Sequence, residues 1–140
     1  MSVFRKKRKD KVERVQRQWK IKRKCLDLIL ECARSSYPNE FGGLLRVDSD
    51  SKEVIAELVV LPGTISGDSH AIFQLHMLPI DFTIVGTVHS HPSYSFYPSD
   101  ADLHLFQKHG KVHIIVANPF TESSWRAYDY RGNELEMDII

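Results

Sequence analysis

The chain has 140 residues, with nineteen Lys or Arg against eighteen Asp or Glu, a formal net charge of +1 and 42% hydrophobic residues. That is the size and balance of one domain able to bury a core without disulfide or metal staples. No run approaches the eighteen or so apolar residues of a membrane helix, and the basic start has no apolar stretch behind it to make a signal peptide; a cytoplasmic protein with no membrane partner is expected.

Cys25 and Cys32 lie seven apart in a helical pattern, roughly 10 Å along the axis and beyond disulfide reach, so they read as reduced, buried thiols. The chain has no C-x-x-C pair and no H-E-x-x-H, which excludes the cysteine ligands of a zinc deaminase and the helical zinc motif of many metalloproteases. The near-neutral total hides an asymmetry. Residues 1–24 hold twelve Lys or Arg against Asp10 and Glu13, and the rest of the chain is acidic by about nine charges. Residues 1–18 are therefore set apart as a basic arm, partly disordered or helical, before a domain at 19–140. Such an arm suits nucleic acid or an acidic protein partner, or serves only as a solvated tail.

In chain order, Val12, Val15 and Trp19 continue into Leu26, Ile29, Leu30 and Ala33 at helical spacing, predicting an amphipathic helix that ends before Pro38. Its extension back through Trp19 is the weaker half of the pattern. Glu40-Phe41-Gly42-Gly43-Leu44-Leu45 opens a short strand, and a second strand is predicted at 53–61. A polar loop follows over 62–69, then an alternating stretch over 71–77. A strand over 82–89 leads to a helix at about 99–109 with Gly110 as its C-cap, and a buried strand over 112–117 comes next. Residues 124–130 and 134–139 read as a hairpin turning at Gly132-Asn133. The class is α/β, one central mixed sheet flanked by helices.

The chemistry concentrates in Gly86-Thr87-Val88-His89-Ser90-His91-Pro92 and the following Ser99-Asp100-Ala101-Asp102. His89 and His91, two apart, share one face of a strand. Pro92 stops that strand because it has no N–H to donate. Ser99 reads as a helix N-cap with Asp102 in the first turn, a pattern that a plain capping box would also produce. Two imidazoles and one carboxylate where a strand ends and a helix begins make a three-ligand zinc site with one position open. Asp100 is as good a ligand candidate as Asp102 on these grounds. The remaining histidines show no partner spacing and read as structural.

His89-Ser90-His91-Pro92, six residues, then Ser99-x-x-Asp102, with Glu40 upstream, resembles the signature of the JAMM (MPN+) metalloproteases. Glu-Phe-Gly-Gly-Leu-Leu and Gly86-Thr87-Val88-His89 extend the resemblance, which covers about residues 19–140. It is similar to the short archaeal-type members, desampylase- or deubiquitinase-like. The resemblance implies a single domain with a cytidine-deaminase-like three-layer arrangement, one Zn2+ per chain, and His89, His91 and Asp102 as the metal ligands. It implies Glu40 as the acid/base and Ser99 as the oxyanion stabiliser. It further implies a substrate made of a ubiquitin-like, Gly-Gly-ended modifier joined to a lysine. Tyr94, Phe96 and Tyr97 beside the proposed metal, and Ser66 and Gly67 in the polar loop, are the candidate walls for that Gly-Gly tail, which could lie along an exposed sheet edge. Phe96 and Tyr97 could equally pack their loop onto the core. The chain lacks the insertions with which larger members grip a second modifier, so linkage choice should be poor or supplied by a partner. Two other functions fit parts of the sequence: a non-catalytic scaffold of the same fold, and a nucleic-acid-associated JAMM protein using the basic arm.

Overall fold

The computed structural model describes residues 18–60 and 81–140. Among these the elements are β1 (Trp19–Ile21), α1 (Arg23–Ser36), β2 (Gly42–Asp48), β3 (Ser51–Val60), β4 (Ile84–His91), α2 (Asp100–Lys108), β5 (Val112–Ala117), β6 (Trp125–Asp129), β7 (Glu134–Leu135) and β8 (Met137–Ile139). The strands form one mixed sheet in the order β7-β6-β5-β4-β2-β3-β1-β8. Residues 12–17, the 62–69 loop and the alternating 71–77 stretch fall outside the described residues.

The two faces of the sheet bury different helices. On one, Cys25, Leu26, Ile29, Leu30 and Ala33 of α1 meet Val88, Val112, Ile114 and Val116, each large aliphatic side chain worth about 2 kcal/mol on burial. On the other, Leu105 and Phe106 of α2 pack against Leu44, Ile115 and Tyr128. The arrangement is the three-layer α/β domain expected from the sequence. Helix α1 stops at Ser36 with Tyr37 extended at ψ 134, as a residue before proline must be. No described helix is long and apolar enough to cross a membrane.

Two expectations are corrected. Trp19 is not helical: Trp19 and Ile21 are buried on either side of half-buried Lys20 as a strand, paired in parallel with both β3 and β8. A three-residue apolar alternation is too short to outweigh a helical window, and its partners lie far away in sequence. The terminal hairpin is likewise shorter than predicted. Only Glu134–Leu135 pairs with β6, while Met137–Ile139 crosses to the opposite edge and pairs with β1. Cys25 is buried and Cys32 half-buried, both free. Burial pushes the Cys25 thiol up to about 11, leaving it inert.

Strand β4 is central. It runs parallel to β5 from Gly86↔Val112 to His91↔Ala117 and antiparallel to β2 with Gly42 opposite His89. The β4–α2–β5 crossover is tight where it begins and ends. A Cβ on Gly86 would sit 1.5 Å from the Val112 carbonyl oxygen, and one on Gly110 (φ 120) would sit 2.3 Å from that of Val85. Gly110 thus lies one residue beyond the observed C-cap, His109, and turns the chain into β5.

Within the crossover, His113 is wholly buried and flat against Phe106, with ring centroids 4.3 Å apart. The Thr87 hydroxyl donates to its Nδ1 at 2.8 Å, and its Nε2–H donates to the Gly110 carbonyl at 3.2 Å. The neutral ring has both nitrogens satisfied, and burial pushes the pKa down to about 4. The unfolded chain therefore binds this proton first. Stability present above about pH 6.5 should be lost as pH falls towards about 4, with roughly 3 kcal/mol attributable to His113. His113→Gln should flatten that part of the slope, measured on metal-free protein as the change in urea midpoint between about pH 7 and about pH 4.5.

Candidate metal centre

Three side chains converge where β4 ends and α2 begins. One ligand atom each from His89, His91 and Asp102 lie within 4.8 Å of one another. The two Nε2 atoms are 3.2 Å apart, and Asp102 meets His89 at 3.0 Å and His91 at 3.1 Å. The strand's period of two aims both imidazoles at the α2 face, and β4 ends at His91 because Pro92 cannot continue the ladder.

Asp102 is placed by the helix start. Ser99 is the N-cap: its hydroxyl oxygen accepts the Asp102 N–H at 3.1 Å, and the Asp102 carboxylate accepts the Ser99 N–H at 2.9 Å. The capping-box and ligand readings of Ser99-x-x-Asp102 are thus both realised in one carboxylate. Asp100 is exposed and outside the cluster, so the geometry selects Asp102. Burial opposes charge on Asp102, but hydrogen bonds and charge from His89 and His91, with the Ser99 N–H, hold it well below the usual carboxylate range.

The histidines are fixed differently. His89 is buried and packs near Phe106, with no partner for its Nδ1 among the described residues. His91 is half-buried, and its Nδ1–H donates to the Ser95 carbonyl at 2.9 Å. That bond leaves the Nε2 lone pair of the neutral ring facing the carboxylate and the other imidazole. Burial lowers the His91 pKa, but the bonds to Asp102 and Ser95 and the charges of Asp102 and Glu40 raise it overall. Three acceptor atoms this close need a cation between them, a proton or a metal ion. Their separations lie just under the roughly 3.3 Å edge of a tetrahedron with zinc–ligand bonds of about 2.0–2.1 Å. The donor set fits zinc.

Glu40 is not one of the three clustered groups. It lies exposed in the link between α1 and β2, two residues before Gly42, which pairs with His89. The Ser90 N–H donates to the Phe41 carbonyl and the Phe41 N–H to the Ser90 hydroxyl, each at 2.8 Å, carrying the pairing one step further. Glu40 immediately precedes this exchange, and its charge is felt at His91. Sequence reasoning overlooked Ser90, whose buried hydroxyl ties the Glu40 segment to the histidine strand; its place inside His-Ser-His was the available signal.

Of the candidate walls, Tyr94 and Tyr97 are 78% and 70% exposed. Phe96 packs instead against Phe106, Ile115 and Tyr128, with the Arg126 guanidinium 4.3 Å from its ring centre. Ser66 and Gly67 lie outside the described residues, as does the basic arm through residue 17. Strand β4 is paired on both sides, so a bound tail would pass its end rather than lie along it.

Residues 22–128 match the family model for prokaryotic homologs of the JAB domain. The chain is similar to a probable metalloprotease of Haloferax volcanii, 38% identical over a 123-residue alignment that covers 82% of this chain and 75% of that protein. It is similar in structure to a JAB1/MPN domain protein from Archaeoglobus fulgidus, with 39% identity, a TM-score of 0.68, and 88% and 97% of the two chains covered. A further structure, described as "JAMM: A Metalloprotease-like Zinc Site in the Proteasome and Signalosome", matches at 41% identity and a TM-score of 0.69 over 88% and 98% of the chains.

The dual use of Asp102 separates the variants. His89→Ala and Asp102→Ala should both leave gel filtration without the one zinc per chain that elemental analysis should find in the parent. Ser99→Ala should keep its zinc, yet cost the metal-free protein about 1 kcal/mol through the lost cap, read by urea denaturation.

Proposed function

The chain belongs to the prokaryotic JAB-domain family, and from that premise we propose that it is a zinc-dependent isopeptidase that releases a ubiquitin-like, Gly-Gly-ended modifier from a target lysine. At the coarser level it is a JAMM-type metalloprotease with a His–His–Asp candidate zinc site. The observation that carries the proposal is the convergence of His89, His91 and Asp102, with Glu40 in the segment that leads into Gly42, the strand partner of His89.

When bound, zinc supplies Lewis acidity and a water acidic enough to lose its proton near neutral pH. His89, His91 and Asp102 hold the ion and leave one position open. Glu40 takes the proton from the attacking water and delivers it to the departing lysine amine, a role suited to an exposed carboxylate at the mouth of the site. The Ser99 oxygen already accepts the Asp102 N–H, so the hydroxyl hydrogen remains free to donate to the carbonyl oxygen as it becomes negative. Exposed Tyr94 and Tyr97 offer apolar rings at the same mouth for the extended tail. A cytoplasmic setting agrees with two free thiols.

Zinc-loaded protein should cleave a lysine isopeptide of a Gly-Gly-ended modifier, and a chelator should stop it. Glu40→Gln should retain zinc and lose turnover, while Ser99→Ala should fall about 10²- to 10³-fold in kcat. Equal cleavage of an Ala-Ala-ended substrate, or near-normal turnover by Glu40→Gln, would remove the isopeptidase mechanism.

A further inference from the structure

The loop that follows His91 is held by its carbonyls. Asn118 donates its side-chain Nδ2 to the Pro92 oxygen at 3.3 Å and its backbone N–H to the Ser93 oxygen at 3.0 Å. His91 Nδ1–H occupies the Ser95 oxygen at 2.9 Å, and the Tyr128 hydroxyl donates to the Phe96 oxygen at 2.6 Å. Tyr128 stands on β6 with its ring stacked near Phe106, 5.9 Å between centroids, and is 3% exposed. One strand neighbour away, Arg126 covers the Phe96 ring and is itself fixed by Glu134 at 3.0 Å.

We propose that Tyr128 is a positioning residue for His91. By holding the Phe96 carbonyl it sets the adjoining Ser95 carbonyl where it accepts the His91 Nδ1–H, and so aims Nε2 at Asp102 and His89. The need is particular to His91. His89 is enclosed, its ring held by Asp102 and by packing near Phe106 with no outer partner on Nδ1 among the described residues, whereas His91 is half-buried at the last residue of its strand and borders the loop. The Ser95 and Phe96 carbonyls lie in successive peptide planes that share the Phe96 Cα, so packing the Phe96 ring and holding its carbonyl fix that Cα and leave φ of Phe96 as the main freedom of the Ser95 carbonyl. Anchoring one therefore restricts the other. Asn118 fixes the loop where it leaves β4, and Tyr128 fixes it beyond the bend. Burial pushes the Tyr128 phenol up to about 12, so the donor keeps its hydrogen across the working pH range.

This inference rests on His91 being a zinc ligand. The test is a chelator competition for zinc, run on the parent, Tyr128→Phe, His91→Ala and Val47→Ala, a core change away from the site. It is accompanied by solvent exchange of the His91 Nδ1 proton in the zinc-loaded protein, followed by NMR. Tyr128→Phe should bind zinc about tenfold more weakly and exchange that proton faster. Val47→Ala should lose thermal stability without changing either. Parent-like affinity and exchange in Tyr128→Phe overturn the inference. A parent that takes up no zinc, or a His91→Ala protein that binds as well as the parent, instead overturns the metal centre itself. If Tyr128→Phe does not fold, Arg126→Met decides: loosening the Phe96 ring should weaken zinc in the same direction, by roughly threefold, and unchanged affinity overturns the inference.

Discussion

The carboxylate of Asp102 accepts the Ser99 N–H at 2.9 Å and meets the Nε2 atoms of His89 and His91 at 3.0 and 3.1 Å, so one side chain closes the first turn of α2 and the end of β4 together. Everything around the site is arranged by that shared closure. A helix whose N-cap moved by one residue would present Ala101 or Leu103 to the imidazoles, and neither can replace the carboxylate. Ser99 consequently has a structural duty through its oxygen, and its hydrogen is left for the chemical role proposed for it. The two duties do not compete, because a hydroxyl accepts and donates through different parts of the same group.

The imidazoles are immobilised by two different means. The His89 ring lies in the wedge between β4 and α2, where Phe106 and the strand leave it little freedom. The His91 ring has one side towards solvent, and its second nitrogen is spoken for by a backbone carbonyl. Outer partners of this kind set which nitrogen faces a metal, and they contribute to affinity nearly as ligands do. The tight β4–β5 crossing, which leaves no room for a Cβ on Gly86, and the Ser90–Phe41 exchange on the β2 side keep the strand carrying both rings from sliding relative to Glu40.

What was legible in the sequence was what depended on short spacing. His89 and His91 at period two, the Pro92 stop, the Ser99 cap and the buried Val112–Ala117 strand all announce themselves within a window of a few residues, and the elements they predicted are present. The strand at Trp19 and the crossing of Met137–Ile139 to join it were not legible, since each of these three-residue strands is defined by pairing across 118 residues of chain. Spacing left Asp100 and Asp102 as equals, and only the folded first turn separates them. Glu40 could not be chosen over Glu53 or Glu57 from residue type; the family resemblance singles it out, and the fold sets it just before the β2–β4 pairing. The Ser95 carbonyl left no trace at all, because any residue could supply a backbone oxygen, and only the fold brings Tyr128 to the neighbouring Phe96 carbonyl.

Sharing one carboxylate between helix cap and metal links occupancy to folding. The unfolded chain does not keep Asp102 beside two histidines eleven and thirteen residues before it, so zinc binds the native state by preference. Free zinc at a hundred times its dissociation constant would then add about 2.7 kcal/mol to stability. The gain is not spread evenly. The α1 face is a continuous apolar layer that includes Leu26, Ile29, Val88 and Ile114 and owes nothing to the ion. The α2 face rests on two smaller clusters around Leu105 and Phe106. Without a metal, Asp102 is held by its contacts with the two imidazoles and the Ser99 N–H, and the first turn of α2 and the loop after His91 are the parts whose cohesion depends on them. The protein thus keeps its metal sensitivity on the face where the chemistry occurs and its bulk stability on the other.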